Sequence, residues 1–211
     1  MKLTDIIDIL RILAKIRKVF CSEADFQFAL AWEIKMKFPK AEIRMEKRVS
    51  SDVNAYTDIY VKIDGKSYPI ELKYKTAKGA YVDSDSSIIQ LKQQSAVDLG
   101  AYGFLYDIHR IEALAETDKS FERGFVIMLT NDSAYYASSG RNSMYDEFKI
   151  YQGQDKTGKL DWKREAYKDK EEPDWLKSYP AIHLIGRYQM NWQPYDEVGD
   201  FKYNVVQINA R

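Results

Sequence analysis

The stretch from Thr57 to Lys75 constrains the fold most, because Asp64-Gly65 divides it into two alternating runs. A two-residue type I′ turn needs positive φ at both central positions, and Asp-Gly tolerates this well. With that turn, Ile63 pairs with Lys66, Val61 with Tyr68, Ile59 with Ile70, and Asp58 with Glu71. Alternation gathers Ile59, Val61, Ile63, Tyr68, Ile70, Leu72 and Tyr74 on one face. Asp58, Glu71 and Lys73 then share the other. A slip of one residue in the turn would dissolve this pairing.

Two carboxylates directly opposite each other destabilise a plain surface hairpin, where opposite charges would be ordinary. A divalent cation between them removes the conflict. Mg²⁺ is commonly held by one or two carboxylates plus water and phosphate oxygens, which suits Asp58 and Glu71. Lys73 is placed to contact a phosphate or to orient an attacking water.

Asp58 together with Glu71-Leu72-Lys73 resembles the acidic position and the (D/E)XK element of the PD-(D/E)XK nuclease superfamily, with Thr57 where a proline often precedes the aspartate. The resemblance implies an α/β, restriction-endonuclease-like core with a central mixed sheet flanked by helices. Its expected order is a helix, three antiparallel strands, a helix and a further strand. Upstream, Ser22-Glu23-Ala24-Asp25 reads as a helix cap and Pro39 as the stop, and Glu42 to Val49 alternates as a half-buried strand. A polar loop, Ser50 to Asn54, precedes the hairpin. Downstream, Ser86 to Leu99 has helical spacing through Ile88, Ile89, Leu91, Ala96 and Val97; Gly100 is expected to interrupt it, with a second helical run from Ala101 to Ala115. Gly124 to Thr130 is an apolar run suited to a buried central strand.

The resemblance implies a Mg²⁺-dependent phosphodiesterase, with Mn²⁺ as a substitute, acting on nucleic acid and on DNA rather than RNA. Asp58, Glu71 and the backbone carbonyl of Leu72 are its expected metal ligands, and Lys73 its positioning residue. Glu23, in the first turn of the first helix, is an additional acidic candidate with Glu33 as competitor; helix-dipole stabilisation explains Glu23 equally well. Gln90 is a further candidate, with Gln93 and Gln94 beside it on the expected second helix, where a solvated face is the plain explanation. The alternative function is a catalytically silent module of the same fold that binds nucleic acid or a protein. A purely structural subunit is a third reading.

Net charge is the main observation against a nucleic-acid partner: 32 basic and 32 acidic residues cancel, so no global basic field attracts phosphate. Locally, Lys62, Lys66, Lys73, Lys75 and Lys78 surround the acids, and a metal on Asp58 and Glu71 would leave that neighbourhood positive. One cysteine, Cys21, excludes an intrachain disulfide and is expected to be a small buried hydrophobe. His109 and His183 lack metal-ligand spacing, and neither a phosphate-binding Gly-rich loop nor a Gly-x-Ser-x-Gly elbow is present.

Residues 1–20 read as an amphipathic helix through Leu3, Ile6, Ile7, Leu10 and Leu13, interrupted by charges and so neither a signal peptide nor a membrane span. It is expected to pack on the domain or on another subunit, which admits a homodimer, in a cytoplasmic protein without a membrane partner. Residues 21–130 form the expected core and 131–211 a β-rich C-terminal extension of the same domain. Within it, Asp155 to Lys177 interleaves lysines with Trp162, Tyr167 and Trp175, but its acids cancel the charge, which predicts a solvated, partly irregular surface segment. Ile182 to Met190 and Tyr203 to Ile208 read as strands.

Overall fold

The computed structural model describes residues 1–49, 56–83, 86–94, 96–164, 171–196 and 200–210. The expected loop 50–54 and Tyr167 lie outside them. Ser22 accepts a hydrogen bond from the Asp25 N–H at 3.1 Å and starts α2 (Glu23–Lys37), which ends two residues before Pro39. Ahead of it, α1 (Leu3–Ile16) buries Ile6, Ile9, Leu10 and Leu13 against its own chain. Lys37 ties the two helices together through Asp5 and Asp8, each at 3.2 Å. Cys21 is exposed, contrary to expectation; it lies in the connection between the helices, where its N–H donates to Asp25.

Strands β1 (Glu42–Arg48), β2 (Tyr56–Ile63) and β3 (Lys66–Lys75) follow as an antiparallel meander. Asp64 and Gly65 have φ of 48° and 78°, and the register runs as the turn dictates, from Ile63–Lys66 to Ile59–Ile70. β6 (Arg123–Thr130) pairs with β3 in parallel, and β10 (Lys202–Asn209) adds to β6 antiparallel, with the short β9 (Gln193–Pro194) outside it. The mixed six-stranded order is therefore β1-β2-β3-β6-β10-β9.

Helices cover both faces. On one, α1 and α2 pack over Ile59, Val61, Ile70, Leu72, Phe125, Ile127 and Leu129. On the other, α3 (Val97–Thr117) packs over Val126, Met128, Val206 and Ile208. The unbroken apolar run in β6 thus serves two cores by alternation. Among the described residues, no helix is long and apolar enough to cross a membrane.

The sequence expectation fails between the hairpin and α3. Ile88, Ile89 and Leu91 belong to strand β5 (Ile88–Leu91), which pairs with β4 (Gly79–Val82) in a separate ribbon. The spacing that suggested a helix is too short to separate the two alternatives. Nor does Gly100 end a helix: α3 runs through it without interruption. A Cβ there would stand 2.2 Å from the buried Tyr135 hydroxyl, so the glycine answers a packing demand from a distant segment.

The described residues of the C-terminal part are likewise more regular than their composition suggests. β7 (Asp155–Leu160) pairs with β8 (Ile182–Gln189), and Trp162 is buried against Tyr102 and Phe148 instead of standing in solvent. After residue 170, α4 (Asp174–Lys177) buries Leu176 while Trp175 stays half-exposed against Trp162. Fully buried Glu112 of α3 clamps β8, accepting from the N–H groups of Ile185 and Gly186 and from the Tyr188 hydroxyl at 2.6–3.1 Å.

Gly100→Ala tests this packing by its sign. As a relieved helix-breaker it would gain about 1 kcal/mol, whereas the Tyr135 contact predicts a loss of about 1–3 kcal/mol. Urea unfolding should show the loss, partly recovered in the double variant with Tyr135→Phe.

Candidate active site

The site begins where the β2–β3 ladder stops. Ile59–Ile70 is its last pair, one position short of Asp58 and Glu71. On the other side of β2, Met45 pairs with Ile59 and Lys47 with Thr57, while Glu46 takes φ of 47° and drops out of the ladder with Asp58. The Asp58 carbonyl instead accepts from Gln27 Nε2 of α2 at 2.6 Å, and the same amide reaches Glu46 Oε1 at 2.9 Å.

Side chains take over from the missing strand. Asp58 Oδ2 accepts the Leu72 N–H at 2.6 Å, and Glu23 Oε2, from the first turn of α2, accepts the Tyr74 N–H at 2.6 Å. Alternate amides along one edge of β3 are thereby satisfied by carboxylates, as buried backbone donors require. Glu23 belongs to this neighbourhood, while its competitor Glu33 lines a surface depression between α1 and α2.

Glu71 and Lys73 meet α3, and Asp58 lies near enough to feel the charges of Lys73 and Asp107. Lys73 Nζ stands 2.5 Å from Asp107 Oδ2 and donates to the Leu72 carbonyl at 3.3 Å. Arg110, one helical turn beyond Asp107, lies 3.4 Å from Glu71 Oε1 and 3.3 Å from Asp107 Oδ1, and donates to the Tyr56 carbonyl. Glu71 and Asp107 are both almost wholly buried, and Glu71 Oε1 and Asp107 Oδ2 have ion-pair neighbours but no hydrogen bond of good geometry. Asp107, Arg110 and Gln27 were not foreseen. The available signal was a charged i, i+3 pair inside the apolar stripe Phe104, Ile108, Ile111.

Burial dominates the electrostatics. It pushes the Asp58 carboxyl up to about 6, with the Leu72 N–H and Lys73 opposing and Asp107 and Glu23 adding to the rise. Burial also raises Glu71 far above the usual carboxylate range, reinforced by Asp107 and Asp58, and Arg110 and Lys73 do not offset it. Lys73 goes the other way: burial disfavours its ammonium, yet the Asp107 carboxylate holds it up at about 12. The site therefore favours a proton on Glu71 and resists full ionisation of Asp58, beside a Lys73 that stays charged.

Gln90 lies elsewhere in the fold than expected. It is exposed on β5 opposite Ala80, not on a helix, in a ribbon separate from the sheet that carries Asp58, Glu71 and Lys73. Gln93 bonds to Asp132 and Lys78. His109 Nδ1 meets the backbone carbonyl of His183 at 3.0 Å, a contact between the two histidines that leaves no paired ligand set.

Among the described residues, no three or more His, Cys, Asp or Glu side chains converge as a metal cage. Mg²⁺ does not need one. One or two carboxylates with water suffice, and the hard oxygens of Asp58 and the hydrogen-bond-orphaned Glu71 Oε1 fit it in donor chemistry. The Leu72 carbonyl, expected as a further ligand, accepts from Lys73 Nζ at 3.3 Å. No family model, curated protein or solved structure matches the chain.

The raised Asp58 carboxyl has a consequence for stability. The folded state holds its proton more tightly than the unfolded chain, so this contribution falls as pH rises from 3.8 and is gone above about 6. Without divalent cations, Asp58→Asn should be the more stable protein above that window by up to roughly 3 kcal/mol. Below it the two should converge, as urea titrations at a series of pH values would show.

Proposed function

We propose that the chain is a metal-dependent nuclease with a restriction-endonuclease-like core, hydrolysing phosphodiester bonds in DNA rather than RNA. The observation that carries this reading is the half-buried carboxyl of Asp58, fixed on the Leu72 N–H beside Lys73, together with the buried Glu71, whose Oε1 has no hydrogen bond; burial keeps the proton affinity of both high. Such a pair gains from a divalent cation more than from any change in its protein partners. A bound Mg²⁺ or Mn²⁺ supplies Lewis-acid stabilisation of a phosphate and a more acidic water.

The remaining work falls to the chain. Asp58, tied to the Leu72 N–H, and Glu71, held at the face of α3, fix the donor oxygens. Lys73 remains charged throughout the neutral range and stabilises the developing negative charge or orients the nucleophile. Asp107 aims Lys73, and Glu23 holds the β3 backbone beside it. Gln90 has no part in this arrangement.

One observation favours the silent module as the second reading. Lys73 and Arg110 are both already engaged by acids, so the cluster is also intelligible as a closed ion-pair network. Calorimetric titration with Mg²⁺ or Mn²⁺ separates the two; no binding at millimolar metal, with DNA present, selects the silent module.

Cleavage of single-stranded and duplex DNA in Mg²⁺ should fall by roughly 10²-fold or more in Asp58→Ala, Glu71→Ala and Lys73→Ala. Chelation should abolish it in the wild type. Equal cleavage by all four proteins removes the assignment.

A further inference from the structure

The largest exposed apolar side chains of α2 fall on a single line. Phe28, Trp32 and Met36 recur every four residues, and each is more than 60% exposed. Isolated exposed apolar residues are ordinary, but three in register on one helix form a stripe. Phe28 and Trp32 flank a groove whose other wall is Ala41, Ile43 and Met45 of the β1 region. β1 is also the edge of the six-stranded sheet, and no described strand pairs with its outer side.

This edge is short and bounded. At one end Lys35 Nζ takes the Ala41 carbonyl at 2.7 Å; at the other, the positive φ of Glu46 breaks the regular strand. Glu42 to Met45 remains. Its charges alternate in sign, and neither Glu42 nor Arg44 has an ion-pair partner among the described residues. Edge strands commonly protect themselves with like charges or lysines that repel another edge. Here the pattern invites one particular edge, its own.

We propose that β1 pairs antiparallel with β1 of a second copy of this chain about a two-fold axis at Ile43, extending the sheet across a homodimer. In that register Glu42 of each copy lies opposite Arg44 of the other, two ion pairs by symmetry. On the opposite face Ile43 meets its own mate. A two-fold axis perpendicular to the sheet keeps both α2 helices on the same side, so the two Phe28–Trp32 stripes cover the joined strands together. Main-chain pairing supplies affinity and the charge pattern supplies register.

The test requires no nuclease activity. Sedimentation equilibrium of the full chain at about 100 μM should show a dimer, and Trp32→Glu, on an exposed position that leaves the fold intact, should yield monomer. Arg44→Glu places acid opposite acid twice and should raise the dimer dissociation constant on the order of tenfold or more. Glu42→Arg combined with Arg44→Glu exchanges the charges and should restore it to within about threefold of wild type. A monomeric wild type overturns the proposal. So does a dimer indifferent to Arg44→Glu, or one that the double exchange fails to rescue.

Discussion

The departure of β2 from β3 beyond Ile59–Ile70 is the constraint on which the candidate site rests. A strand that leaves a buried sheet exposes a row of backbone N–H groups that must find acceptors elsewhere. Asp58 and Glu23 supply them, one from the departing strand and one from the helix packed above it. The Gln27 amide performs the converse service for the Asp58 carbonyl. Repairing the ladder thus brings acidic side chains into a place where water is scarce, and that scarcity gives the Asp58 carboxyl its high proton affinity.

On the other side of β3, the same sheet meets a charged turn of α3. Glu71, Lys73, Asp107 and Arg110 are two acids and two bases, yet burial favours a proton on Glu71, so the acidic side is the less satisfied. Buried ion pairs stabilise little in net terms, because desolvation consumes most of the attraction, but removing one member leaves an uncompensated charge. A quartet of this kind gains its value from what it positions more than from the energy it adds. Lys73 is held against Asp107 and beside the Leu72 carbonyl, within the strand that also carries Glu71.

Local chemistry was legible and distant chemistry was not. Asp64-Gly65 fixed the hairpin register because a type I′ turn depends on two residues and their φ angles. Ser22 marked its helix for the same reason, and the β6 run was recognisable as a strand buried on both faces. Ile88, Ile89 and Leu91 misled because a four-residue strand offers no full period to count. Gly100 misled because its reason is Tyr135, which no local pattern reveals. The charges around Trp162 suggest a place in solvent, whereas its neighbours in space are Tyr102 and Phe148. Gln90 inherited the error of its element, and Asp107 and Arg110 become meaningful only once α3 is laid across Lys73 and Glu71.

Glu112 bears on how the polypeptide can be divided. Its carboxylate sits in the interior with β8 providing its donors, less than two helical turns from Asp107 and Arg110 on the same helix. A protein cut after β6 would retain every acidic and basic group of the candidate site and still lose the donors that make Glu112 tolerable inside. The penalty would fall on α3, the element that aims Lys73. The C-terminal ribbon is therefore a structural creditor of the site rather than an appendage, and no minimal fragment ending at residue 130 inherits the geometry of the whole.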